Sequence, residues 1–144
     1  STGGAPLLEI QEPGQTQSVA GAIAIEGNSS LSLDGANIGG AGGSTLTIGG
    51  TLTNSSTNGN GLDIGNTGIT AADTVTVNGT GGLVNSSGSQ INIEGNTSVQ
   101  ATLNVANAPA GFGTDAGSDI GDVQPKLWGR CRFTAFGFVE SVPI

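Results

Sequence analysis

One pattern recurs along this chain at a nearly constant interval, and it limits the possible folds more than any other feature. The stretch TLTIGGTLTNSSTNGNGLDIGN (residues 45–66) matches TVTVNGTGGLVNSSGSQINIEGN (residues 74–96), with a single position of slack. The interval from Leu46 to Val75 exceeds the interval from Val75 to Leu103 by only one position. A unit of this size cannot bury its apolar side chains alone, so units of constant length are expected to stack.

Each unit is expected to begin with one aliphatic cluster and to carry a second cluster at a nearly constant distance after it. The expected opening clusters are Leu8-Glu9-Ile10, Leu46-Thr47-Ile48, Val75-Thr76-Val77 and Leu103-Asn104-Val105. The expected second clusters are Ile23-Ala24-Ile25, Leu62-Asp63-Ile64 and Ile91-Asn92-Ile93. The interval from Leu8 to Leu46 is distinctly longer than the later intervals, which predicts an inserted loop at DGANIGGAGGS, residues 34–44.

These clusters predict an all-β fold. Alternating aliphatic and polar residues are typical of short strands with one buried face, and the Gly and Asn residues between them suit tight bends. Stacked units of constant length favour a right-handed parallel β-helix, a β-solenoid, of about three to four coils with a distinct C-terminal segment. The alternative is an antiparallel sandwich of short hairpins, which the same alternation would allow.

Stacking also predicts rows of identical side chains. Asn28, Asn66 and Asn96 are expected to align in one row, and Asn54 is expected to lie beside Asn85. Thr45, Thr74 and Thr102 are expected to align on the outside, beside Thr47, Thr76 and Asn104.

The outer threonine rows raise a further possibility, since several ice-binding solenoids order water with regular ranks of Thr. Here the expected row is short, because Asn104 interrupts it at one end and Leu7 and Glu9 break it at the other. The sequence therefore favours the simpler interpretation that Thr is a good strand residue on a solvent-facing surface.

Residues 44–66 and 90–113 resemble the repeat-rich passenger regions of bacterial autotransporter and haemagglutinin-like adhesins, and the resemblance extends over about residues 7–113. It implies a secreted or surface-exposed parallel β-helix that presents loops to a host or environmental surface, with a glycan as one candidate ligand. The family has no shared catalytic residue, so the resemblance implies neither an active site nor a cofactor.

The composition changes after Gly113, which predicts repeats over residues 1–113 and a separate segment over residues 114–144. This segment holds every Lys and Arg of the chain, the single Trp, the single Cys and three of the four Phe. Three interpretations remain open: a cap on the last coil, a segment that docks into a partner or a neighbouring copy, or a non-native extension or altered reading frame. The cap or docking residues would be Trp128, Phe133, Phe136 and Phe138. Residues 132–139 suit a β-strand or hairpin arm.

Charge and composition exclude several functions. The net charge of −8 disfavours nucleic acid, and the absence of His excludes His-dependent catalysis and histidine metal sites. The single Cys131 cannot form an internal disulfide. No stretch approaches the ~18 apolar residues of a membrane span. The missing initial Met leads us to expect a processed product or a fragment.

The acidic residues give two weak candidates for chemistry. Glu26 and Glu94 are expected at the same repeat position, two coils apart, which is too far for a retaining glycosidase pair. Asp115, Asp119 and Asp122 could supply oxygen ligands for Ca²⁺, but their spacing matches no known calcium loop. For both groups the sequence favours solvated acids in turns.

These observations predict a non-catalytic structural or adhesive module at a bacterial cell surface or secreted from it. A self-assembling fibre subunit, joined through the solenoid ends or the aromatic C-terminal segment, is the alternative. A carbohydrate-active enzyme is the third and least favoured hypothesis.

Overall fold

The structure is a computed structural model, and it describes residues 6–11, 13–35, 41–86 and 88–106 together with the backbone of three strands beyond residue 120. Every regular element in these residues is a β-strand. The strands are β1 (Leu7–Ile10), β2 (Thr16–Val19), β3 (Ile23–Gly27), β4 (Ser30–Leu33), β5 (Thr45–Ile48), β6 (Leu52–Ser56), β7 (Leu62–Ile64), β8 (Thr74–Val77), β9 (Leu83–Asn85), β10 (Ile91–Ile93), β11 (Ala101–Val105), β12 (Val123–Gln124), β13 (Cys131–Ala135) and β14 (Phe138–Glu140).

From β1 to β11, successive strands lie in three different sheets in rotation, so that every third strand belongs to the same sheet. The first sheet has the order β1-β4-β7-β10-β12, the second has the order β14-β13-β11-β8-β5-β2, and the third has the order β3-β6-β9. All neighbours pair in parallel except β13 and β14, which are antiparallel. A repeat is therefore three successive strands, one in each sheet. This arrangement is solenoid-like, and it rules out the antiparallel sandwich of hairpins.

The hydrophobic core lies between the three sheets. In β5 to β9 and in β11, alternate side chains point inward; in β5, for example, Leu46 and Ile48 are buried and the two Thr residues are half-exposed. Leu46, Ile48, Leu52, Leu62, Ile64 and Ile69, which belong to one copy of the repeat, are all buried in one cluster. Burying each such side chain contributes roughly 1.5–3 kcal/mol.

The register confirms part of the predicted repeat and corrects its first unit. Leu46 pairs with Val75, and Val75 pairs with Leu103, as the spacing predicts. The prediction for Leu8 was wrong, because Leu8 pairs with Leu31 in the first sheet. The position before Leu46 in the second sheet belongs to Gln17 of β2.

The second cluster of the first unit was also misplaced. Ile23-Ala24-Ile25 belongs to β3 in the third sheet, where Ile23 pairs with Leu52. The true counterpart of Leu62-Asp63-Ile64 is Leu31-Ser32-Leu33. Short aliphatic clusters of the same form occur on all three sheets, so spacing alone did not distinguish them.

The parallel stacking continues into the C-terminal segment. β12 pairs with β10 in the first sheet, and β13 pairs with β11 in the second. β13 and β14 form an antiparallel pair in which Thr134 lies opposite Val139, which confirms the predicted hairpin arm.

A column of glycines lies where the second sheet leads into the third. Gly21, Gly50 and Gly79 occupy equivalent places, because each comes shortly after one of the in-register residues Val19, Ile48 and Val77. A Cβ on Gly79 would lie 2.6 Å from the backbone nitrogen of Thr51, and a Cβ on Gly50 would lie 2.6 Å from the carbonyl carbon of Gly21. The close approach of backbones at this corner therefore requires glycine.

Candidate functional site

The outer face of the second sheet carries the most regular surface of the described residues. One row is Thr16, Thr45, Thr74 and Thr102, and the row beside it is Ser18, Thr47, Thr76 and Asn104. We call these eight residues the Thr/Ser face. The expected pairing of Thr45, Thr74 and Thr102 is confirmed. The expectation that Leu7 and Glu9 break the row was wrong, because these residues lie in the first sheet and β2 extends both rows.

The side chains of the Thr/Ser face are presented to solvent. Those in β5, β8 and β11 are half-exposed, and Thr16 and Ser18 at the sheet edge are exposed. None of the hydroxyl groups of the face forms a hydrogen bond to another described residue. The face carries no charged residue. The hydroxyls are therefore available to water or to a ligand.

Two buried carboxyl groups meet at the corner between the first and second sheets. Asp34 follows β4 and is 1% exposed, and Asp73 precedes β8 and is fully buried. The Asp34 carboxyl lies within hydrogen-bonding reach of the Asp73 carboxyl. The backbone N–H of Ser44 donates to Oδ1 of Asp73 at 2.9 Å. Oδ2 of Asp73 and both carboxyl oxygens of Asp34 have no N–H donor among the described residues.

Burial raises the pKa of Asp73 from 3.8 to about 7. The carboxyl of Asp34 raises that pKa further, and the backbone N–H groups of Ser44 and Gly43 partly oppose the shift. No Lys, Arg or His occurs before residue 126, so the repeats contain no cationic side chain to neutralise the pair. A proton on Asp73, shared with the Asp34 carboxyl through a hydrogen bond, would give a partner to oxygens that otherwise have none among the described residues. Sequence patterns carry no sign of this pair, since its members lie in different repeats and share no motif.

Asn54 and Asn85 lie in register on β6 and β9, and both are buried. The Nδ2 of Asn54 donates to Oδ1 of Asn85 at 2.8 Å and to the carbonyl of Gln90 at 3.0 Å. The Nδ2 of Asn85 donates to the carbonyl of Ser89 at 2.9 Å. These amides fill core positions with hydrogen-bonded polar groups and do not form an accessible site.

Asn28 does not join Asn66 and Asn96 in a row, which corrects that prediction. Asn28 follows β3 of the third sheet, whereas Asn66 and Asn96 follow strands of the first sheet. Each of the latter two instead bonds backbone of the preceding repeat: Asn66 Nδ2 donates to the Asp34 carbonyl at 2.6 Å, and Asn96 Nδ2 donates to the Ile69 carbonyl at 2.7 Å. These two side-chain amides therefore link the corners of successive repeats.

Glu26 and Glu94 do not share a repeat position, which corrects that expectation. Glu26 is exposed in β3 of the third sheet, and Glu94 follows β10 of the first sheet. The expectation failed because Ile23-Ala24-Ile25, which precedes Glu26, lies in the third sheet and Ile91-Asn92-Ile93, which precedes Glu94, lies in the first.

Several predicted residues lie outside the described part of the chain: Asp115, Asp119, Asp122, Trp128 and Phe136. Phe133 and Phe138 lie in β13 and β14, where only the backbone is described. Within the described residues, no group of three or more His, Cys, Asp or Glu is placed to hold a metal ion.

A shallow, open groove adjoins the end of the Thr/Ser face nearest β11. It is lined by Thr70, Ala71, Ala72, Ser98, Val99, Gln100, Thr102 and Asn104. The lining is polar and small, and it includes no charged residue. Such a surface can offer hydroxyl and amide groups to a polar ligand, but no acid or base for catalysis.

The edge formed by β1, β2 and β3 is the most exposed apolar part of the described structure. Leu8 is 61% exposed and Leu7 is 55% exposed on β1, while Val19 is 37% exposed on β2. Each of these three strands has a described partner on one side alone, because each ends the order of its sheet. In the described part of the chain, no further strand therefore lies beside the apolar side chains of this edge.

No family model matches this chain, and neither a search of curated proteins nor a search of solved structures finds a match. None of the described residues forms a helix of the length and apolar character needed to cross a membrane.

Proposed function

We propose that this chain is a non-catalytic structural or adhesive β-solenoid module, secreted by a bacterium or displayed on its surface. The observation that supports this proposal is the regular outer surface, in which hydroxyl and amide side chains repeat from strand to strand above a continuous core. A rigid stack of this kind holds polar groups at fixed positions, which suits binding to an extended surface.

We further infer that the three sheets wind as a right-handed parallel β-helix. Each strand reaches its parallel partner in the same sheet by a crossover through the other two sheets. The right-handed twist of strands makes such crossovers right-handed in nearly every known case. A crystal structure that showed a left-handed winding would overturn this inference.

The groove beside β11 is the surface that we assign to adhesion, with a glycan as the candidate ligand. Ser98, Gln100 and Asn104 can donate hydrogen bonds to sugar hydroxyls and accept hydrogen bonds from them. The test is a glycan array with the full chain, followed by incubation of each bound glycan to detect cleavage. Binding without cleavage supports the proposal.

A matched pair of variants sharpens this test. Ser98→Arg places a large side chain in the groove and is expected to abolish binding. Thr80→Arg makes the same change at an exposed turn before β9 and is expected to leave binding intact. Equal binding by both variants would remove the groove from the proposal. Cleavage of a glycan that is lost in Glu94→Gln would overturn the assignment as a non-enzyme.

The exposed edge of β1, β2 and β3 favours a second candidate function, a self-assembling fibre subunit. Addition of a strand from another copy would extend the sheets at this edge and cover Leu7 and Leu8. Electron microscopy of the full chain distinguishes this candidate, because fibres or end-to-end dimers are expected. Monomers at all concentrations would eliminate it.

A further inference from the structure

We propose that the Thr/Ser face binds the surface of ice. This function goes beyond adhesion and does not rest on it, because its ligand is different and its centre lies on β5 and β8, although the groove and the Thr/Ser face share Thr102 and Asn104. The proposal rests on the two in-register rows, on the rigidity of their side chains and on their lack of charge.

The spacing of the two rows is set by the backbone. Neighbouring strands lie about 4.8 Å apart, and residues i and i+2 on one strand lie about 6.7 Å apart. The seven hydroxyls of the Thr/Ser face and the amide of Asn104 thus form a nearly rectangular grid of two rows and four strands. A grid that repeats in two directions is unlike the surface of a single small ligand.

The lattice of ice has comparable intervals. A water–water hydrogen bond is about 2.75 Å long, so two waters that share a tetrahedral neighbour lie about 4.5 Å apart. The same geometry makes puckered layers of ice repeat at about 7.3 Å. The grid differs from these intervals by about 0.3 Å between strands and by about 0.6 Å along the strand, differences that side-chain tilts must accommodate.

The side chains of the face are fixed enough to hold water at these positions. Thr is β-branched and restricted at χ1, and the central residues Thr47 and Thr76 are half-buried between their neighbours on the sheet. Their hydroxyls form no hydrogen bond to another described residue. Water bound at the hydroxyls is therefore ordered by the sheet at low entropic cost.

Two features separate ice from other ligands. None of the eight residues carries a charge to attract an ionic partner, although the first row continues in register to Arg132 on β13, and none of the eight is aromatic. Each Thr instead places a methyl group beside its hydroxyl, so the surface alternates apolar and hydrogen-bonding groups. Such a surface can anchor the outermost waters of a crystal without dissolving their network.

The test is incorporation of the full chain into slowly growing ice, together with inhibition of ice recrystallisation. The wild-type chain is expected to be enriched in the ice and to keep crystals small. Thr47→Tyr, which raises a ring above the centre of the grid, is expected to weaken inhibition about tenfold or more. Thr76→Lys serves as a second disruptive variant should Thr47→Tyr fail to fold, which circular dichroism would detect.

The matched control is Thr53→Tyr, which changes the same residue type at a half-exposed position on β6 of the third sheet. It is expected to retain wild-type inhibition. A wild-type chain excluded from ice would overturn the proposal, and so would an equal loss of inhibition in Thr47→Tyr and Thr53→Tyr. Glycan binding is measured separately, so failure of one proposal is not failure of the other.

Discussion

The side-chain amide of Asn54 donates a 2.8 Å hydrogen bond to Oδ1 of Asn85, and these two buried residues lie in register in successive repeats. Polar groups at a core position are tolerated because each finds a partner: Oδ1 of Asn54 also accepts from the backbone N–H of Ser56 at 3.2 Å. The cost of breaking this arrangement is the basis of the first prediction.

Asn85→Ala is expected to lower the free energy of unfolding by about 1–3 kcal/mol, because it leaves a buried donor on Asn54 poorly satisfied. Urea denaturation followed by circular dichroism measures the change. Asn28→Ala, at an exposed position, is the control and should change stability by less than about 0.5 kcal/mol. In a double-mutant cycle, Asn54→Ala and Asn85→Ala should be non-additive. Strict additivity would contradict a coupled pair.

Stability is expected to fall as the pH rises through about 7, the pKa of buried Asp73. An unfolded Asp titrates near pH 3.9. Between these values the folded chain holds a proton that the unfolded chain has lost, so the stabilisation is complete below about pH 4 and is lost above pH 7. Unfolding in urea at pH 5 and pH 8 should show a difference on the order of a few kcal/mol.

Asp73→Asn is expected to reduce this pH dependence and to exceed the wild-type stability at pH 8. The amide keeps an oxygen for the N–H of Ser44 and gains N–H groups that can donate to the Asp34 carboxyl. The control Glu26→Gln, at an exposed position on β3, should retain the wild-type pH profile. A wild-type chain equally stable at pH 5 and pH 8 would refute the shared proton.

Gly79→Ala is expected to destabilise the fold by about 1–3 kcal/mol or more, because the new Cβ meets backbone atoms of Gly50 and Thr51 that cannot move aside. The end of the same column supplies the control. A Cβ on Gly21 meets no atom within 4 Å, so Gly21→Ala should be neutral or slightly stabilising. Thermal unfolding compares the two variants, and similar melting temperatures would argue against the close backbone stacking.

Leu8→Lys is expected to decrease any self-association of the chain, since it places a charge on the exposed apolar edge of β1. Sedimentation velocity at several concentrations measures the effect. Thr53→Lys, on an inner strand of the third sheet, should leave the sedimentation profile unchanged. If both variants lose self-association, the cause is the change in net charge and not the substitution at the edge of β1.

The sequence was sufficient to predict the stacked strands where the repeat is regular, and it failed at the first repeat for a physical reason. Gln17 occupies the place of Leu46 and Val75 in the second sheet, and all of β2 is exposed at the sheet edge. A strand at the sheet edge buries less of its surface, so it does not need apolar residues. The strand TQSV therefore has no aliphatic cluster, and Leu8 was assigned to its place instead.

That one error had consequences for the functional assignment. The misplaced first repeat left Thr16 and Ser18 out of the two outer rows, which they extend by one strand. The rows therefore seemed too short for the binding of an extended surface. The Asp34–Asp73 pair was beyond sequence reasoning for another reason, because its contact depends on the path of the loop between β4 and β5. Repeat spacing predicts which strands pair, whereas loop geometry decides which corner residues meet.

Every parallel pairing in the sheets joins residues of successive repeats, at similar separations along the chain. The shortest separation is that of Leu7 and Ser30. The longest, that of Ile91 and Val123, exceeds it by less than half. The entropic cost of closing a loop grows only with the logarithm of its length, so each new strand meets nearly the same barrier as the strand before it. Folding can therefore advance one turn at a time from any formed pair of repeats. Further repeats would lengthen such a rod without making its last strand slower to add than its first.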